Sequence, residues 1–126
     1  MACPQPRPLS DLEFLDAFND RVERERLPLS GSVELTRRCN LRCIHCYAGP
    51  AAASDGAAEL STAEWHRLLD EVTRAGCLYF LITGGEPLLR PDFREIYRHA
   101  KENGLLVTLF TNATLVDEAV ADFFTE

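Results

Sequence analysis

Apolar residues recur along this chain with two periods, and the two alternate. From Ser10 the period is helical: Leu15, Phe18 and Val22 fall on one face, and Ser10 with Glu13 forms a capping box. Pro28 is expected to end this helix, and Ser30 with Gly31 to turn the chain. Over residues 32–37 the period drops to two, Val33 and Leu35 alternating with Glu34 and Thr36, which predicts a strand. Ser61 and Glu64 make a second capping box. Trp65, Leu68, Leu69 and Val72 follow at i, i+3, i+4 and i+7, and Gly76 stands where a C′ residue belongs. Residues 77–83, CLYFLIT, are a continuous apolar run of the kind that forms a buried parallel strand. Pro91 opens a third helix, in which Phe93, Ile96, Tyr97 and Ala100 repeat the same spacing until Gly104. Residues 105–110 read as a third strand, and Val116, Ala119, Val120 and Phe123 as the start of a last helix.

The order is therefore a helix, then strand and helix three times over. Strands alternating with helices define βαβ units, hence an α/β fold with a parallel sheet. Three such units leave an exposed strand edge. The chain is accordingly expected to belong to a longer barrel or open sheet; the alternative is a small three-stranded domain complete in itself. Residues 1–8 are Pro-rich and expected to be loose, and residues 48–58, AGPAAASDGAA, to be a flexible connection.

Composition narrows the function classes. At 126 residues the chain accommodates one domain with a modest core, and its net charge of −7 disfavours binding to a nucleic-acid backbone. No apolar run approaches the roughly 20 residues of a membrane span. The beginning, MACPQPRPLSD, has no signal-peptide core, so a cytoplasmic protein is expected. Five cysteines, an odd number, argue against a disulfide framework and for metal binding or free thiols.

Three of those cysteines, Cys39, Cys43 and Cys46, lie within eight residues, spaced C-x3-C-x2-C, directly after the first strand. Structural zinc sites usually pair two such motifs, and no second pair exists here. A plant-type ferredoxin loop has four residues in the first gap and a further cysteine. Three thiolates can hold three irons of a cubane and leave the fourth iron open, as a catalytic site requires. The next strand ends in Gly84-Gly85-Glu86-Pro87, and the third in Thr111-Asn112. All three segments therefore fall at the carboxyl edge of the sheet, where parallel α/β folds place ligands. Gly84 and Gly85 would let backbone polar groups approach a ligand, and Pro87 fixes the exit of the turn.

Together, "TRRCNLRCIHCYAG", "ITGGEPLLRPDF" and "LFTNATL" resemble the radical S-adenosylmethionine (radical SAM) superfamily over about residues 32–126. The resemblance implies a partial parallel (β/α) TIM-like barrel, with residues 1–31 as an N-terminal extension. It implies a [4Fe-4S] cluster on Cys39, Cys43 and Cys46, whose fourth iron is chelated by SAM. One-electron cleavage of SAM would yield a 5′-deoxyadenosyl radical that abstracts hydrogen from substrate. Gly84, Gly85, Glu86 and Pro87, with His45 and Asn112, are the implied cofactor-binding residues; Glu86 would suit the ammonium group of SAM. His45 is implied to lie near the adenine, with simple loop packing the alternative. Tyr47 is expected to pack. Arg37, Arg38 and Arg42 would form a solvated basic rim or offset the cluster's charge. An external electron donor such as flavodoxin or ferredoxin is implied, and a peptide or cofactor precursor as substrate. The family often has glycine where this chain has Ala113, so glycine's backbone freedom is missing from that turn. Glu34 and Thr36 are expected to line the barrel interior, His66 and His99 to be surface residues, Cys77 to act as a small hydrophobe, and Cys3 to have no role. The competing class is a non-catalytic iron–sulfur or zinc-binding module.

Overall fold

A computed structural model describes residues 10–47 and 59–125. The expectations for residues 1–8, Cys3 and residues 48–58 lie outside the described residues. Helix α1 (Asp11–Glu25) carries the Ser10–Glu13 capping box and ends at Arg26, whose φ of 52° is left-handed. The helix thus stops before Pro28. None of its residues is buried: Leu15 and Phe18 keep 50% and 38% of their surface. Its apolar stripe contributes nothing to the core.

Strand β1 (Ser30–Thr36), helix α2 (Thr62–Arg74), strand β2 (Tyr79–Gly84), helix α3 (Phe93–Glu102), strand β3 (Leu106–Leu109) and helix α4 (Glu118–Thr125) follow, with a single 3₁₀ turn at Pro87–Leu89. The sheet is parallel throughout, in the order β1-β2-β3. β1 begins earlier than alternation indicates, because Ser30 and Gly31 pair with Tyr79 and Phe80 and are strand rather than turn. Ser61 and Glu64 cap α2 as expected, and Gly76 after it takes a φ of 101°.

The core lies between one face of the sheet and helices α2 and α3. Leu35, Phe80 and Ile82 from the strands meet Trp65, Leu69, Phe93, Ile96 and Ala100 from the helices, and Phe123 of α4 closes one end. At about 25 cal/mol per Å² of apolar surface, burial of these side chains is the main driving force for the fold. β2 is not buried on both faces as its apolar run implies. Phe80 and Ile82 are buried, while Tyr79 on the opposite face is 55% exposed. Cys77 precedes the strand and is buried as a small hydrophobe, its thiol pushed up from the usual range by desolvation. His66 and His99 are not simple surface residues. Their rings stack across α2 and α3 at 4.1 Å, and His99 Nε2 meets Asp70 Oδ1 at 2.7 Å.

Candidate functional site

Parallel pairing sends every strand–helix connection out of the same edge of the sheet. The cysteine loop leaves β1, the Gly84–Pro87 turn leaves β2, and Thr111-Asn112 follow β3, so all three meet at the carboxyl edge. Their contacts are backbone first. Gly85 N–H donates to Thr36 O at 2.7 Å and Glu86 N–H to Arg38 O at 2.8 Å, which extends the β1–β2 pairing into the two loops.

This contact assigns the two glycines a role the sequence did not reveal. A Cβ on Gly84 would lie 2.3 Å from Thr36 O, and the φ of 135° at that residue is itself left-handed. A Cβ on Gly85 would lie 2.2 Å from Arg38 O. The glycines therefore admit the chain's own cysteine loop, and the space they leave is filled by backbone.

Glu86 sits behind the turn with no solvent exposure. Its Oε1 accepts from Leu88 N–H at 3.0 Å and from Thr111 Oγ1 at 2.8 Å, and its Oε2 accepts from Asn112 N–H at 2.8 Å. A carboxylate offers about four acceptor positions. Three are used, so Glu86 ties the turn after β2 to the turn after β3 and keeps one position on Oε2. Pro87 begins the 3₁₀ turn and is buried. Ala113 adopts the left-handed backbone, φ 60°, despite its Cβ.

The cysteine loop is open. Cys39 is partly buried, and Cys43 and Cys46 are exposed. Leu41 N–H points to Cys39 Sγ at 3.4 Å and Asn112 Nδ2 lies 3.9 Å from the same sulfur. Cys46 N–H closes a short turn onto Cys43 O at 3.3 Å. Among the described residues, no three His, Cys, Asp or Glu side chains converge as a ready-made metal cage. Three thiols on one loop, with N–H donors aimed at one sulfur, nevertheless make a donor set suited to an iron–sulfur cluster. His45 is exposed on the same loop. Tyr47 is 71% exposed, and its hydroxyl hydrogen-bonds to Thr83 Oγ1 of β2, so it spans from the loop to the sheet end.

A second cluster braces the loop from behind. Arg90 grips Asp92 with two bonds, Nε to Oδ1 at 2.9 Å and Nη2 to Oδ2 at 2.6 Å. It also donates to Leu35 O at 3.3 Å, to Leu60 O at 3.0 Å and to Glu59 Oε2 at 3.4 Å. The Arg90 bond, with help from Thr62 and against the cost of burial, holds the Asp92 carboxyl down at about 2. Thr36 is buried and donates to Glu59, so it does not line the sheet interior beside Glu34. The β1–β2 register shifts between Glu34 and Thr36, and that irregularity breaks the alternation. Arg38 pairs with Glu59 at 3.2 Å, while Arg37 and Arg42 stay exposed. Arg90, Glu59 and Asn40 carry no signal in sequence: an isolated polar residue in a turn looks the same whether it bridges loops or faces water.

Fold and site together define a parallel β/α protein with a cysteine loop braced by a glycine turn at the carboxyl edge of its sheet. The radical SAM superfamily profile matches residues 33–126. The chain belongs to the radical SAM superfamily, whose members use a [4Fe-4S] cluster and SAM. It is 47% identical over 103 residues to PqqA peptide cyclase of Rhodopseudomonas palustris, a match covering 82% of this chain and 27% of that protein. Identity to Fe-coproporphyrin III synthase of Methanosarcina barkeri is 42% over 87 residues, or 69% of this chain and 22% of the relative. The chain thus spans about a quarter of the length of the curated relatives it matches. Streptococcus suis SuiB bound to S-adenosylmethionine superposes with a TM-score of 0.69 at 21% identity, over 96% of this chain and 30% of that one. SuiB bound to its precursor peptide SuiA gives 0.68 at 19% identity, over 100% of this chain and 30% of that one. The partial TIM-like barrel is thereby established as the fold. No helix among the described residues is long and apolar enough to cross a membrane.

Proposed function

We propose that this chain forms the amino-terminal part of a radical SAM enzyme's core. In this reading Cys39, Cys43 and Cys46 hold a [4Fe-4S] cluster, and SAM sits at the carboxyl edge of the sheet. The observation that carries it is the bonding of the Gly84–Pro87 turn to the cysteine loop through Thr36 O and Arg38 O. Residues 32–126 belong to the core, with β1 entering from Ser30, and the residues before it form an extension.

When bound, the cluster and SAM supply one-electron cleavage of SAM and hydrogen abstraction from substrate. The chain's residues supply position. Gly84 and Gly85 seat the loop against the sheet, and Glu86, wholly buried, holds the turns after β2 and β3 together beside the SAM site. Pro87 fixes the turn, Asn112 presents its amide beside Cys39, and His45, next to the third ligand, would contact the nucleoside part. Cluster assembly itself gathers the thiols of Cys43 and Cys46, which start exposed.

The substrate in this reading is a peptide. Support comes from the relative named a peptide cyclase, which shares 47% of its matched residues with this chain; the synthase relative favours a cofactor precursor instead. Flavodoxin or ferredoxin in the cytoplasm supplies the electron. The test is anaerobic iron–sulfide reconstitution followed by EPR of the dithionite-reduced protein, with and without SAM. A [4Fe-4S] signal that shifts with SAM, lost in Cys43→Ser, is expected. A cluster indifferent to SAM would leave a non-catalytic module, and zinc with no cluster would overturn the assignment.

A further inference from the structure

Asn40 lies between the first cysteine and the rest of the loop, and both ends of its amide are engaged at long range. Asn40 Nδ2 donates to Thr114 Oγ1 at 2.7 Å. Thr114 Oγ1 donates to Asn112 Oδ1 at 2.7 Å. Asn112 Nδ2 donates back to Asn40 Oδ1 at 2.9 Å. The three side chains close a ring in which every donor has one acceptor and the direction is the same all the way round. Such one-way rings polarise their members and are stronger than separate pairs.

We propose that Asn40 is a positioning residue of the cysteine loop, which this ring latches to the turn after β3 and so to Cys39. The ring is anchored from below. Asn112 N–H donates to the buried Glu86 at 2.8 Å, and Thr114 N–H donates to Asn112 Oδ1 at 3.0 Å. Moving the loop away from the sheet therefore breaks the ring. The ring needs a donor and an acceptor from one short side chain at position 40, and the amide supplies both. Aspartate supplies only the acceptor and alanine neither.

The ring also fixes the amide that faces the thiol. One Nδ2 hydrogen of Asn112 is held by Asn40, which leaves the other for Cys39 Sγ at 3.9 Å. A hydrogen bond to a cluster thiolate favours the reduced, more negative state and raises the reduction potential. This second consequence rests on the cluster-binding reading; the latch itself does not.

The test has one readout without iron and one with it. Amide hydrogen exchange of the iron-free protein is compared for wild type, Asn40→Ala, Thr114→Val and the double variant. Exchange across residues 39–47 is expected to rise about fivefold in Thr114→Val, which removes one of the two bonds joining Asn40 to the turn, and further, by about 25-fold, in Asn40→Ala, which removes both, with β2 and α3 unchanged. The double variant is expected to match Asn40→Ala, since that change already removes both bonds between position 40 and the turn. Unchanged exchange, or additive effects, overturns the latch. In the reconstituted protein the midpoint potential of both singles is expected to move to more negative values, opposite to the rise that greater solvent exposure in a merely loosened loop would bring. An unmoved potential with faster exchange overturns the tuning of Cys39. If wild type takes up no cluster while exchange responds as stated, the cluster reading fails and the latch stands.

Discussion

Gly85→Ala is the sharpest test of how the site is built. The added Cβ would sit 2.2 Å from Arg38 O, 2.7 Å from Arg38 C and 2.9 Å from Arg37 O. Ordinary carbon contacts are near 3.5 Å, so the two backbones must separate by about 1 Å. All three atoms are backbone, and no rotamer change relieves the overlap. Separation stretches Gly85 N–H to Thr36 O and Glu86 N–H to Arg38 O, now 2.7 and 2.8 Å. Two net hydrogen bonds at about 1 kcal/mol each, plus 1–3 kcal/mol for overpacking, give a loss of about 3–5 kcal/mol. Urea unfolding followed by the fluorescence of Trp65, the chain's one tryptophan, measures it. Gly104→Ala is the control. Its φ of 85° is left-handed but nothing lies within 4 Å of the added Cβ, so backbone strain alone costs about 1–2 kcal/mol. A Gly85→Ala protein as stable as Gly104→Ala would refute the claim that these glycines admit backbone.

Three further outcomes follow from the same geometry. Asp92 has its pKa depressed from 3.8 to about 2 by the Arg90 hydrogen bond, so it stabilises the fold above pH ~4 and loses that contribution as pH falls through 2. Asp92→Asn is expected to cost about 2 kcal/mol at neutral pH and to flatten the acid limb of the stability curve between pH ~4 and ~2, checked by urea titrations across that range. Ala113→Gly should be neutral or stabilising by up to about 1 kcal/mol, because relief of the left-handed strain outweighs the entropy glycine adds to the unfolded chain; a loss in thermal melting contradicts this. In the iron-free protein, iodoacetamide should label Cys43 and Cys46 well before Cys77, which is buried with its thiol pushed up by desolvation; peptide mapping that finds Cys77 modified first would contradict the packing.

Signals that are local in sequence survived as elements, though not always with the expected ends or burial. Both capping boxes, the α2 and α3 stripes and the three strands are set by side chains within a few residues of one another. What the sequence hid depends on partners far along the chain. The start of β1 at Ser30 is decided by Tyr79, and the burial of Thr36 by Glu59. The meeting of the three motif turns was legible because parallel topology alone sends them to one edge of the sheet. The work of Gly84, Gly85 and Glu86 was not, since a glycine facing a ligand and one facing backbone read alike. The Ala113 turn shows the converse: its left-handed φ is kept by Thr111 Oγ1, which accepts from Ala113 N–H at 3.0 Å, without glycine's freedom.

The Arg90 guanidinium has a consequence for chain length. It binds Leu35 O on the way out of β1 and Leu60 O on the way into α2, and Thr36 bonds Glu59 beside them. The segment carrying the cysteines therefore departs and returns through one pinched neck. Once a neck is fixed, the cost of enlarging the excursion grows only logarithmically, by about 0.6 kcal/mol per doubling. Residues can be added or removed on the far side of the cysteines with little effect on the sheet. This one arginine thus ties the exit of β1 to the entry of α2, whatever the number of residues between them.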